Sequence, residues 1–232
     1  MKPLFQTLFV IFFLFSIAGI ATADNFSDSR RAVAEAVAEK EFHSWRIEAE
    51  EDDASAQYNL GVLYSLGRGV LKDRLAAAKW YRRAAEQGHA SAQNNLGFMY
   101  QSGQGFVQSN RAAVKWYRMA AEQGNAAAQN SLGTMYQNGQ GVLRSDRIAV
   151  KWYRLAAEQG NAVAQNNLAM MYVNGSGVMQ SDEYAYAWWF LAAKNNHAMA
   201  RSNILIAQQN MTPYRIRKGE YLAERIQQRP GI

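Results

Sequence analysis

The sequence predicts an all-α protein, an α/α solenoid of 36-residue helix-turn-helix repeats, and three observations carry that prediction. Trp80, Trp116, Trp152 and Trp188 stand 36 residues apart, as do Tyr64, Tyr100, Tyr136 and Tyr172, and as do Gln57, Gln93, Gln129 and Gln165. Within one period, Ala56, Gln57, Leu60, Gly61, Leu63 and Tyr64 recur at helical spacing, and so do Ala77, Trp80, Tyr81, Ala84 and Ala85, which makes two amphipathic helices. A Gly-x-Gly loop separates them in every unit, from Gly67 and Gly69 to Gly175 and Gly177, where glycine takes the left-handed geometry that stops a helix. One such hairpin is too small to bury its Trp and Tyr, so neighbouring units must stack into a continuous core.

Composition sets the outer limits. The 232 residues are 49% hydrophobic and 19% charged, with 17 Gly, 3 Pro and no Cys, as in a folded globular protein without disulfides or cysteine-ligated metal. A formal charge of +6 and a pI near 9.5 suit an acidic partner, but charge bears on association and not on fold.

The elements follow in order. Residues 1–23 read as a secretory signal peptide: Lys2, an apolar run from Leu8 to Ile20, and the small residues of Ala21-Thr22-Ala23. That run falls short of the roughly 20 residues that span a bilayer, so cleavage after Ala23 is expected, with membrane contact only during export. The mature chain would begin at Asp24 with a net charge of +5, outside the cytoplasm: periplasmic in a Gram-negative bacterium, otherwise secreted. Nucleic acid is then not a partner. Residues 24–53 hold an N-terminal capping helix around Ala32 to Glu39 and, from Phe42 to Asp53, the second half of an earlier unit. Four full units occupy 54–197. Residues 198–232 hold the first half of a fifth unit and a C-terminal capping helix that opens on Thr212-Pro213, a good N-cap and N1 pair, and continues through Tyr221, Leu222 and Ile226.

Two columns refine each unit. Asp73, Ser109, Ser145 and Ser181 share one position and can cap the second helix with a side-chain oxygen. Gly61, Gly97 and Gly133 lie inside the first helix, where glycine costs about 1 kcal/mol against Ala, so a second helix must approach closely there; Ala169 keeps the position small in the fourth unit.

The unit Ala90-x-Ala92-Gln93-Asn94-Asn95-Leu96-Gly97-x-x-Tyr100, then Gly103-x-Gly105-Phe106, then Ala113-x-Lys115-Trp116-Tyr117-x-x-Ala120-Ala121-Glu122-Gln123-Gly124, resembles the Sel1-like repeat, a relative of the tetratricopeptide repeat. The resemblance extends over about three quarters of the chain, is restated four times, and implies a right-handed superhelix that acts as an adaptor for other proteins, frequently in bacterial envelopes. The closing Met211-Thr212-Pro213 helix is similar to that of bacterial members. Departures gather in the fourth unit, where Trp189, Phe190, Lys194, Asn195 and Asn196 replace Tyr-Arg and Glu-Gln-Gly.

No chemistry stands out. There is no His-Glu-x-x-His zinc pair, and no Ser is followed three residues later by Lys, the arrangement that penicillin binding or hydrolysis would require. His89 and His197 share a column with Asn125 and Asn161 before the next helix and read as turn residues, not metal ligands. The Gly-x-Gly loops lack the third glycine of a dinucleotide cradle. The Trp and Tyr columns fall on apolar stripes and read as core packing. Arg82, Arg118 and Arg154 precede Glu86, Glu122 and Glu158 by four residues, as in solvated i to i+4 pairs. A terminal basic cluster, Arg215, Arg217, Lys218, Arg225 and Arg229, is only partly balanced by Glu220 and Glu224. Trp189 and Phe190 read as burial under the terminal helix, with a partner patch as the alternative. No enzyme, cofactor or metal is expected.

A binding function would use helix positions that vary between otherwise matching units. In helix-pair solenoids the first helices line the concave side, which makes Tyr58, Asn94, Asn130 and Asn166, then Phe98, Thr134 and Met170, then Gln101 and Gln137, with the neighbouring Asn59 and Asn95, a groove of amides with apolar patches. Amides hydrogen-bond an extended backbone without reading its charge; alternatively, some of these Asn cap or bridge helices. The expectation is a monomeric protein- or peptide-binding scaffold of the envelope. Binding or hydrolysis of cell-wall material and a secreted effector acting on a host cell are the alternatives.

Overall fold

A computed structural model of the chain describes residues 28, 30 and 32–228; the expected signal peptide and Arg229 lie outside them. Helix α1 runs unbroken through residues 32–50, so the expected cap and the half unit after it form one helix. Ala38, Phe42 and Ala49 are its buried positions. Four helix pairs follow: α2 (Ala54–Leu66) with α3 (Arg74–Glu86), α4 (Ala90–Ser102) with α5 (Asn110–Glu122), α6 (Ala126–Asn138) with α7 (Asp146–Glu158), and α8 (Ala162–Asn174) with α9 (Asp182–Lys194). Then come α10 (Ala198–Asn210), the first helix of a fifth unit, and α11 (Pro213–Gln227). The described residues contain no strand, and the chain is a right-handed α/α solenoid of 36-residue helix pairs.

The helix boundaries are chemical. Asp73, Ser109, Ser145 and Ser181 each accept backbone N–H bonds at the start of the second helices. The first helices are capped by Asp53, His89, Asn125, Asn161 and His197. The two histidines are therefore caps: Nδ1 of His89 accepts from the Ala92 N–H at 3.2 Å, and Nδ1 of His197 from that of Ala200 at 3.2 Å. Thr212 caps α11 ahead of Pro213.

The core differs from expectation in which ring lies deepest. Tyr81, Tyr117 and Tyr153 are buried, each lying across the glycine column of its partner helix. Trp80 and the equivalent Trp116 and Trp152 are only half-buried and pack against the clusters without being fully enclosed by them. Adjacent positions point about 100° apart on a helix, so Trp and Tyr cannot share one seam. Trp188 alone of its column is buried, in the cluster that Leu222 and Ile226 of α11 also join. That terminal helix packs chiefly on α9. Gly219 allows it, since a Cβ there would lie 2.8 Å from Cδ1 of Tyr186.

A polar spine runs through the array. Nε2 of Gln57, Gln93, Gln129 and Gln165 donates to the carbonyls of Ala49, Ala85, Ala121 and Ala157 in the preceding helix, at 3.0 to 3.2 Å. Their Oε1 atoms accept from Gln87, Gln123, Gln159 and Asn195 at the end of their own second helix. Each of these four glutamine amides is thus satisfied from both sides, as buried polar groups generally are. The fourth unit keeps this geometry despite its changed sequence: Asn195 stands in for Gln, and Asn196 holds the left-handed turn (φ 63°) that glycine holds elsewhere, a conformation Asn tolerates.

A candidate peptide-binding face

The first helices lie side by side across unit boundaries. Asn167 donates to Asn130 at 3.0 Å and Asn203 to Asn166 at 3.3 Å, and the Gln137 amide reaches the Met171 sulfur at 3.4 Å. These bonds tie α6 to α8 and α8 to α10, and they use up part of the amide surface expected for a partner.

The sequence candidates separate into two groups. Gln101 and Gln137 serve the fold, because their Oε1 atoms accept from the buried hydroxyls of Tyr117 at 2.8 Å and Tyr153 at 2.7 Å. Thr134 stands 3.1 Å from the same Tyr153 hydroxyl. Tyr58 stacks on the capping His89, with centroids 4.6 Å apart. Asn166 is buried. Asn59 and Asn95 are half-buried, and Asn95 accepts from Asn94 at 3.4 Å. The second group is small. Phe98 and Met170, in one column, keep 52% and 38% of their surface exposed. Ile206 continues the column, also exposed. Nearby, the Oδ1 of Asn94 is buried without a hydrogen-bond partner. What the fold leaves available is an apolar stripe beside an unsatisfied acceptor.

Burial pushes the hydroxyls of Tyr81, Tyr117, Tyr153 and Tyr186 up, Tyr117 to about 12, so they are neutral donors and acceptors at ordinary pH. Burial also lowers the His89 imidazole. No group of three or more His, Asp or Glu side chains among the described residues is placed to hold a metal ion.

The charged columns correct one expectation. Arg82, Arg118 and Arg154 do not pair with the glutamates four residues on; they donate to the hydroxyls of Tyr100, Tyr136 and Tyr172 in the next unit, at 2.8, 2.9 and 3.1 Å. An exposed ion pair along a helix is worth only about 0.3 to 0.5 kcal/mol, so a neutral oxygen across the unit boundary competes readily. The terminal cluster is also partly used in the fold. Arg215 holds Asp182 at 3.0 Å and Glu183 at 3.1 Å, and through this hydrogen bond the Glu183 carboxyl falls to about 2.

The sequence singles out Trp189 but not the pairing that its indole lacks. Tyr81, Tyr117 and Tyr153 bond to Ser65, Gln101 and Gln137, but the fourth unit puts Trp189 and Val173 in those two columns. The Nε1 of Trp189 is buried and has no acceptor. The joint change was visible in the columns, but its consequence needed the contact between them.

Comparisons with known proteins follow the same architecture. The Sel1 repeat matches residues 54–89, 90–125, 126–161 and 162–197. A Sel1 repeat protein from Oxalobacter formigenes is similar in structure, with a TM-score of 0.72 and 32% identity over 84% of this chain and 78% of that one. A protective antigen of uropathogenic Escherichia coli with an SLR fold gives a TM-score of 0.69 and 34% identity; the match covers 80% of this chain but only 40% of that one. The immunity protein PA5088 from Pseudomonas aeruginosa, at 21% identity, with 82% of this chain and 74% of that one covered and a TM-score of 0.52, shares the fold. No curated protein matches the chain significantly.

Proposed function

The chain belongs to the Sel1 repeat family, whose members generally mediate protein–protein interaction, and from that premise we propose that it is a non-enzymatic, exported scaffold that binds a protein or peptide in the cell envelope. The observation that carries this reading is the exposed Phe98 and Met170 column on a face whose neighbouring positions are fixed by packing. Repeats of this kind hold constant what stacks them and vary what meets a partner. An apolar stripe beside an unsatisfied amide oxygen suits a chain segment that brings branched or aromatic side chains and backbone N–H donors. Export rests on the charged, apolar and small residues of the first 23 positions.

The test is capture of partners from envelope extract by the immobilised mature chain. The Phe98→Ser, Met170→Ser variant should lose capture while keeping its helix content. Gln101 stays untouched, because its loss would orphan Tyr117. The control replaces Arg82, Arg118 and Arg154 on the second helices and should retain capture; the reverse pattern would move the surface to the charged side. Mass measurement of the extracytoplasmic protein tests export, and a Met1-containing species held in membranes would refute it.

A further inference from the structure

The loops between first and second helices form an edge whose pattern the packing does not require. In each loop the residue after the second glycine turns inward, and Val70, Phe106, Val142 and Val178 join the hydrophobic clusters. The next residue turns outward and is still apolar in all four units: Leu71, Val107, Leu143 and Met179 are 89%, 90%, 92% and 88% exposed. One exposed Leu is ordinary, but a complete column of such residues makes a surface. The loops follow one another along one edge, because each rests on the start of the second helix before it. A Cβ on Gly105 would lie 3.0 Å from the Arg74 carbonyl oxygen, one on Gly141 2.8 Å from the Arg111 nitrogen, and one on Gly177 2.7 Å from the Arg147 nitrogen. Cations therefore stand among the apolar tips. Lys72, Arg74, Arg111 and Arg147 are exposed and make no ion pair among the described residues. The carboxylates nearby are engaged: Asp73 caps α3, Asp146 holds Arg144 at 3.3 Å, and Asp182 and Glu183 hold Arg215. The opposite edge is built otherwise. Its turns at 87–89, 123–125, 159–161 and 195–197 expose no large apolar side chain, and the exposed Glu86, Glu122 and Glu158 stand beside them.

We propose that the glycine-loop edge docks on the surface of an anionic bilayer: the four apolar tips enter the headgroup boundary and the four cations meet lipid phosphates. A bilayer satisfies both halves of the pattern at once, since its boundary accepts apolar side chains at any spacing and its charge attracts Lys and Arg. A second copy does not. Edge against edge sets cations against cations, and edge against the glutamate turns leaves the apolar tips on polar residues. Nucleic acid would use the cations and leave Leu71, Val107, Leu143 and Met179 in water. No helix among the described residues is long and apolar enough to cross a membrane, and the contact proposed is peripheral. It adds to the membrane contact expected during export. It does not use the Phe98 and Met170 column, so it stands whether or not that column binds a partner.

The chain has no Cys, so Leu143→Cys takes a single environment-sensitive nitrobenzoxadiazole label on the full chain, with Glu122→Cys on the opposite edge as control. Mixed phosphatidylcholine and phosphatidylglycerol vesicles should shift the Leu143→Cys label to the blue and leave the control label unmoved. Phosphatidylcholine alone should do neither. The readout is where the label lies, so the apolar run from Leu8 to Ile20 cannot mimic it by holding the chain to the vesicle. In the labelled chain, Lys72→Gln, Arg74→Gln, Arg111→Gln, Arg147→Gln should raise the anionic lipid needed for half the shift by at least about tenfold, each cation being worth about fivefold near such a surface. Leu71→Ser, Val107→Ser, Met179→Ser should raise it by about tenfold as well. Helix content should hold in both, because every replaced side chain is exposed. An unmoved Leu143→Cys label overturns the proposal, as does an equal shift in the control, an equal response to phosphatidylcholine alone, or an unchanged response in either variant. A blue shift that grows with protein concentration without lipid, and is not produced by vesicles, assigns the edge to a second copy. One produced by delipidated envelope extract and not by vesicles assigns it to a protein. Either result overturns the proposal.

Discussion

The Cβ that Gly97 lacks would stand 2.7 Å from Cδ1 of Tyr117. That ring cannot move aside, because it is 1% exposed and its hydroxyl is held by Gln101 at 2.8 Å. Gly61 with Tyr81 and Gly133 with Tyr153 repeat the relationship. In an ordinary helix interior, Gly→Ala gains about 1 kcal/mol. Here overpacking costs about 1 to 3 kcal/mol, so Gly97→Ala is expected to give no gain and to lower stability by up to about 2 kcal/mol when both terms are combined. Urea unfolding measures it. In a Tyr117→Ala background the same substitution should become neutral or stabilising, and a penalty that persists there would mean the clash is with something other than the ring.

Much of this was legible in the residues. The period of 36, the glycine loops and the caps of the second helices are properties of local backbone chemistry, and local chemistry is written in adjacent residues. The close approach at Gly97 was legible as well, because glycine inside a helix is costly without such a reason. The identity of the approaching ring was not: Trp116 and Tyr117 are neighbours, and only the crossing of two helices decides which one meets the glycine. Gln101 and Gln137 were misjudged for a related reason. A varying polar residue on a helix looks the same in sequence whether it faces solvent or a buried hydroxyl from the partner helix.

The glutamine spine gives a second expectation. Gln129 is 4% exposed and joins the Ala121 carbonyl to Gln159. Gln129→Leu keeps the volume and removes both bonds, and should cost about 1 to 3 kcal/mol. Stability in a stacked array is a sum of units and nearest-neighbour interfaces. Hydrogen exchange should therefore rise most in α5, α6 and α7, and a uniform rise over the array would contradict a local role.

Acid should loosen the α3 to α4 junction through His89. Its Nδ1 accepts the Ala92 N–H, which only an unprotonated Nδ1 can do. Burial sets the folded pKa below the ordinary value of a histidine. The unfolded chain therefore binds the proton first as pH falls. The stabilisation is complete above the unfolded value and is lost as pH drops through the folded one. His89→Asn, the residue found at the equivalent Asn125 and Asn161, should flatten that part of the stability–pH curve; an unchanged slope would show that the cap does not titrate.

The terminal helix is expected to respond to acid and to one substitution in the same way. Arg215 of α11 holds Glu183 and Asp182 of α9, and Gly219 seats the helix against Tyr186. Glu183 has its carboxyl lowered to about 2, chiefly by the hydrogen bond from Arg215. A depressed carboxylate stabilises the fold fully above its unfolded value, and that contribution fades as pH falls toward the folded one. Arg215→Ala removes the partner at any pH. Both treatments should loosen α11 and open the cover over Trp188, whose column is half-buried everywhere else. The measurement is tryptophan emission with hydrogen exchange: a red shift and faster exchange in α11 for Arg215→Ala at neutral pH, and in the native chain only at strongly acid pH, with α4 to α7 still protected in both. Should Arg215→Ala leave emission and α11 exchange unchanged, the apolar contacts of Leu222 and Ile226 hold the helix without the ion pair, and acid should then act on the array as a whole.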